Sequence, residues 1–199
     1  MIDLHTHSRV SDGTLVPAEL VALAVTRGVK ILALTDHDTL DGLAAAKEAA
    51  AGTALHLING VEISVSWQNK TLHVVGLDVD IENPALVTGL ARLQTVRDER
   101  AVEMGRRLEK AGIADAYAGA QTLALGARLT RTHYARFLHQ AGHVKDEAQA
   151  YKKYLGRGKP ANVSATWASL EEAVNWIHGA GGQAVLAHPF RYGMTRAWL

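Results

Sequence analysis

Apolar and polar positions alternate with two different periods along the first eighty residues. "MIDLH" and "VKILALTDHD" (29–38) are short apolar runs ending in polar residues, which predicts strands. Between them, "TLVPAELVALAVTRG" (14–28) spaces its apolar residues for a helix, with Pro17 near the first turn and Gly28 as its stop. "TLDGLAAAKEAAAG" (39–52) predicts a second helix ending at Gly52. "ALHLINGVEISVSW" (54–67) and "TLHVVGLDVD" (71–80) read as strands, with a hairpin around "QNK". This strand–helix–strand alternation predicts the α/β class, with parallel pairing and helical crossovers.

From about Pro84 to Trp167 the pattern turns helical. "PALVTGLARLQTVRDERAVEMGRRLEKAG" predicts one long amphipathic helix ending at Gly112, and "RTHYARFLHQAG" and "DEAQAYKKYLG" predict shorter ones. The α/β pattern returns with a helix over 169–179 and the strand "QAVLAHP". The expected organisation is an α/β body, a barrel or a layered sheet, from residues 1–87 and 166–199, with a mainly helical insertion, 88–165, that could cover the active site.

Polar residues fall at telling places on these elements. His5 and His7 end the first run, with Asp12 five residues later; Asp36 and His37 end the second. Glu62 follows "NG", His73 lies in the next run and His188 ends the last. Residues i and i+2 of a strand point the same way, so His5 and His7 can face one point. In parallel α/β folds the C-terminal strand ends form one rim, where catalytic groups collect. A His, Asp or Glu on each of five strands predicts a shared metal site on that rim.

Composition narrows the chemistry. The chain has no cysteine, so His, Asp and Glu are the available ligands, a set suited to Zn, Mn or Fe. Glu62 could bridge two ions, with a bridging hydroxide as nucleophile. A net charge of +1 gives no global attraction to nucleic acid or membrane, so anion binding must be local. No segment approaches about 18 apolar residues and no basic leader precedes one, which predicts a cytoplasmic protein. No obligate protein partner is evident. Local cations do occur: Arg131, Thr132 and His133 open a predicted helix, where backbone N–H groups also favour anions. Arg157 and Lys159 lie on the kinked loop "GRGKPANV". Asp38 and Asp41 are explained as acidic groups at a helix start.

Taken together, "DLHTHSRVSDG", "ALTDHDTLDG", "NGVEIS", "LHVVGL", "LTRTHYARFL", "YLGRGKPANV" and "GGQAVLAHP" resemble the PHP (polymerase and histidinol phosphatase) family. The resemblance is to its stand-alone phosphoesterases, which act on nucleoside 3′,5′-bisphosphates and on 5′ ends of short RNA. It implies a distorted (β/α)7 TIM-like barrel holding three divalent ions, with Mn favoured and Fe or Zn as alternatives. By position it implies His5, His7 and Glu62 on one ion, and Glu62, His73 and His188 on a second. Asp12 and His37 would hold the third. It further implies Glu62, His188 and His133 as catalytic groups, with Arg131 and Lys159 gripping phosphate beside Thr132, His133 and Arg157. Asp36 is expected to orient His37.

The family's late "GSDxH"-like motif, source of two more ligands, has no match here. After His188 the sequence holds no Asp, Glu or His. Against the family pattern the last β/α units are also expected to be missing, and the expectation is a fragment of a longer protein. Two other readings fit the same framework: a different hydrolase, such as a histidinol-phosphate phosphatase or an amidohydrolase, and a truncated, inactive metal-binding domain.

Overall fold

A computed structural model describes residues 1–68 and 70–193. Asn69 of the predicted "QNK" turn and residues 194–199 of the predicted body lie outside the described residues. The fold is mixed α/β, with a curled half-barrel sheet and many helices. The chain divides into two units: Met1–Leu93 with the described residues from Thr166 onward, and Gln94–Ala165.

The first unit carries the sheet. Strand β1 (Ile2–Thr6) pairs in parallel with β2 (Ile31–Leu34), and β2 in parallel with β3 (His56–Trp67). Helices α1 (Pro17–Thr26) and α2 (Leu43–Ala50) make the two crossovers that parallel pairing requires. Val21, Leu32, Leu34, Leu43 and Leu55 are buried together between these helices and the strands. Strand β4 (Lys70–Leu77) then pairs antiparallel with β3, from Gly60↔Leu77 to Trp67↔Lys70. The strand predicted over 54–67 runs unbroken through "NG" as twelve residues. Gly60 permits this, because a Cβ there would lie 2.7 Å from the Thr35 side chain and 2.9 Å from the Leu34 carbonyl.

The second unit has its own core. Helix α3 (Pro84–Lys110) begins in the first unit and crosses the division at Leu93. It is followed by α4 (Ala116–Ala124), α5 (Arg131–Gln140) and α6 (Glu147–Ala150), and a π-helical turn continues α6 over Tyr151–Leu155. Met104, Leu108, Tyr134, Leu138 and Leu155 are buried here, and the Tyr134 hydroxyl donates to the Ala101 carbonyl at 2.6 Å. Among the described residues, no helix is long and apolar enough to cross a membrane.

The chain returns to the sheet through a two-residue strand, β5 (Ala168–Ser169), that pairs with β3 and has no sequence signal of its own. Helix α7 (Leu170–Gly179) follows, capped by Ser169 and Glu172, and then β6 (Gln183–Leu186), antiparallel to β4. The sheet order β1-β2-β3-β4-β6 leaves β4 as the reversed strand.

Candidate metal centre

Reversal of β4 corrects the expectation of a rim made only of C-terminal strand ends. Glu62 sits in the middle of β3 and His73 in the middle of β4. His73 pairs with Ser64, two residues from Glu62, and residues i and i+2 share a face. Glu62 and His73 are therefore diagonal neighbours on one side of the sheet, close enough for long side chains to meet. A hairpin delivers His73 where a parallel crossover was not needed.

Glu62 is the hub. Its backbone is fixed by the chain after β2: the Glu62 N–H donates to the Asp36 carbonyl, and the Asp38 N–H donates to the Glu62 carbonyl. Its side chain is buried, yet five imidazoles converge on it. His5 Nε2 and His7 Nε2 each lie 3.0 Å from Oε2, and His37 Nδ1 lies 3.3 Å from it. His73 Nδ1 and His188 Nε2 lie 3.0 and 3.1 Å from Oε1. Asp12 stands beside His7 and His37, at 3.8 and 3.9 Å. The sequence-predicted ligands His5, His7, Asp12, His37, Glu62, His73 and His188 thus occupy one cluster.

Burial would raise the Glu62 carboxyl, but hydrogen bonds from His5, His7 and His73 outweigh it and hold the group far below the ordinary carboxylate range. The same balance appears at His7, where burial is overcome by Glu62 and the ring sits above its ordinary 6.5. At His188 burial wins and lowers the ring.

The donor set fits divalent cations. A carboxylate offers about four lone-pair positions, and five ring nitrogens crowd Glu62. Three triads place ligand atoms within 4.8 Å of one another: His5, His7 and Glu62; His7, Asp12 and His37; His37, Glu62 and His73. With metal–ligand bonds of about 2.1 Å at octahedral or tetrahedral angles, neighbouring ligand atoms lie about 3.0–3.4 Å apart. The nitrogen–oxygen distances around Glu62 fall in that range. His188 Nδ1 is buried with no hydrogen-bond partner among the described residues, so its ring orientation is not set through that atom.

Asp36 was expected to orient His37; its described hydrogen bonds run to the turn after β1. Its buried carboxylate accepts from the Ser8 N–H (2.8 Å), the Ser8 hydroxyl (2.6 Å) and the Ser11 hydroxyl (2.6 Å). It thereby ties down the turn that carries His7 and Asp12. That turn closes through the Gly13 N–H to the Ser8 carbonyl; a Cβ at Gly13 would lie 2.3 Å from the His7 carbonyl, so glycine is required. Burial raises Asp36 above its ordinary value despite these bonds. Asp38 is likewise more than a helix-start residue. It is buried at φ +52°, and its side chain accepts from the Ser64 N–H at 2.7 Å.

The predicted substrate-binding residues belong to the helical unit. Arg131 opens α5 and Thr132 follows it, with its hydroxyl 3.4 Å from that of Tyr151. His133 is buried, and its Nδ1 accepts from the Thr130 N–H to close the helix cap, so any role toward substrate rests on Nε2. Burial, and then the charges of Arg131 and Arg97, bring Arg100 down to about 9. Cationic groups therefore gather near the start of α5. Arg157 and Lys159 are exposed on the loop after the π-helical turn.

Against known proteins, residues 3–163 match the PHP domain family. A 5′-3′ exoribonuclease of Haemophilus influenzae is 50% identical over 197 residues, covering 99% of this chain and 72% of the relative. A 3′,5′-nucleoside bisphosphate phosphatase of Chromobacterium violaceum is 52% identical over 196 residues, covering 98% and 69%. The solved structure of an amidohydrolase from Chromobacterium violaceum, with bound sulfate, superposes with a TM-score of 0.94 at 51% identity, over 99% of this chain and 70% of that one. A protein assigned as a metal-dependent phosphoesterase from Bifidobacterium adolescentis does so with a TM-score of 0.82 at 27% identity, over 94% and 66%.

Proposed function

The chain belongs to the PHP domain family, and on that premise we propose that it is a metal-dependent phosphoesterase for small nucleotides. Its substrates are nucleoside 3′,5′-bisphosphates, hydrolysed to nucleoside 5′-monophosphates and orthophosphate, and the 5′ ends of short RNA. The observation that carries this reading is one buried carboxylate, Glu62, ringed by five imidazoles at 3.0–3.3 Å with Asp12 beside them. Imidazoles converging on one carboxylate are a donor set suited to divalent cations.

Three divalent ions, with Mn2+ favoured, are assigned to His5, His7 and Glu62; to Glu62, His73 and His188; and to Asp12 with His37. When bound, they supply a water of lowered pKa and neutralise charge developing on the phosphoryl group. The chain's own residues do the rest. Glu62 and His188 fix the reacting region, while His133 serves the phosphate through Nε2. Arg131 and Lys159, with Thr132 and Arg157, bind phosphoryl oxygens through charge-assisted hydrogen bonds. In this reading residues 1–87 and 166–199 belong to a (β/α)7-type barrel. Residues 88–165 are a helical insertion that contributes the cationic groups.

The test is orthophosphate release from adenosine 3′,5′-bisphosphate. Chelator-stripped protein is expected to be inactive and Mn2+ to restore turnover. Arg131→Ala is expected to raise KM about tenfold or more, the loss of one charge-assisted contact. Turnover without metal, or none by the Mn2+-loaded chain on the bisphosphate or on short RNA, would overturn the proposal.

A further inference from the structure

The two ligands facing Glu62 Oε1 sit where the sheet runs out. β6 ends at Leu186 opposite Val74, and the Ala187 N–H still donates to the His73 carbonyl at 3.0 Å. At His188 the backbone turns into the left-handed region (φ +32°) immediately before Pro189, and a 3₁₀ turn over Pro189–Tyr192 follows. A non-glycine residue at positive φ is strained and persists only where its surroundings impose it. With β6 turned away, the His73 N–H loses its strand partner on that side. Tyr192 replaces it: its hydroxyl accepts from the His73 N–H at 2.8 Å. The Tyr192 carbonyl is held in turn by Lys70 Nζ at 3.0 Å, so both ends of this residue grip β4. Its ring lies 5.4 Å from the His188 ring, centroid to centroid. His188 has no hydrogen bond at Nδ1 among the described residues; its Nε2 meets Glu62 Oε1 at 3.1 Å and its ring packs against His5 and His73, to which Tyr192 adds an aromatic contact from the 3₁₀ turn.

We propose that Tyr192 is a positioning residue that locks His73 and His188 into one unit, and so selectively secures the divalent ion these two share with Glu62. Tyr192 touches neither the ion nor the substrate in this account; it acts through the backbone of one ligand and the ring of the other. The inference rests on the metal reading of the Glu62 cluster and sharpens it, because it separates one ion from the rest.

Chelator-stripped protein is titrated with Mn2+, following the paramagnetic resonance signal of free Mn2+, for the parent chain, Tyr192→Phe and Lys70→Ala. Outer partners of metal ligands typically contribute about 10–100-fold in affinity. Tyr192→Phe is expected to weaken one binding step by about that factor and leave the others in place, with melting of the metal-free protein little changed. Lys70→Ala, which loosens the same turn without touching the phenol, is expected to weaken the same step by less. Unchanged binding in Tyr192→Phe, or equal weakening of every step, would overturn the inference. Absence of Mn2+ binding in the parent chain would instead refute the metal reading beneath it.

Discussion

Glu62→Ala is expected to reduce bound Mn2+ to at most one ion and to cut phosphate release by about 10³-fold or more, the scale of losing a group that organises transition-state charge. Two of the three ligand triads contain Glu62. Removing its carboxylate takes the shared anion from both at once and leaves all five converging imidazoles, His5, His7, His37, His73 and His188, without it. The His7, Asp12 and His37 triad does not include Glu62, so one ion can remain. Glu62→Gln, which keeps the shape and removes the charge, is expected to lose the same two ions. Metal analysis after gel filtration checks this. Full stoichiometry in Glu62→Ala would mean that the carboxylate is not shared between ions.

The second large effect is on stability. Asp36→Ala removes the acceptor of three buried donors: the Ser8 N–H and the hydroxyls of Ser8 and Ser11. Orphaning a buried polar group costs about 1–3 kcal/mol, and neighbouring losses do not simply add. Relief of a buried charge offsets part of the cost. A net loss of about 3 kcal/mol is expected, or roughly 6–12 °C in Tm for a chain of this size. Asp36→Asn is expected to fall well short of that. Its amide oxygen can still accept from the Ser8 N–H and the Ser11 hydroxyl, while Ser8 Oγ can reverse its role toward the amide NH2. Because the turn carries His7 and Asp12, Asp36→Ala should also weaken the ion proposed at Asp12 and His37 before the one proposed at His73 and His188. Thermal melts of the three metal-free proteins decide the first point; equal stability of Asp36→Ala and the parent chain would contradict it.

The sequence pattern was most informative where a signal is local. Strand β1 with its paired histidines, helix α1 with Pro17 and Gly28, and the long helix α3 are all visible from periodicity and stop residues. The hairpin read around "QNK" already implies that β4 runs antiparallel to β3, as the pairing has it; the expected rim overlooked that a reversed strand cannot present His73 from a C-terminal strand end. Strand β5 is two residues long and exists only because β3 offers it an edge. The Asp36 network joins residues 25 and 28 positions apart, and the serines involved look like ordinary turn residues. Tyr192 escaped notice for the same reason: its partner, the His73 N–H, lies 119 positions away. The candidate ligands were legible because imidazoles and carboxylates in or just after so many apolar strand runs stand out in a sequence. Their supports were not, because a supporting contact has no residue type of its own.

The central claim is that the Glu62 carboxylate joins two divalent ions, one through each oxygen. Crystals of the chain grown with Mn2+ and measured at the manganese absorption edge test it directly. The account predicts anomalous peaks at coordination distance from both Glu62 Oε1 and Oε2, the first flanked by His73 and His188 and the second by His5 and His7. A map with no peak at either oxygen of Glu62 would contradict it.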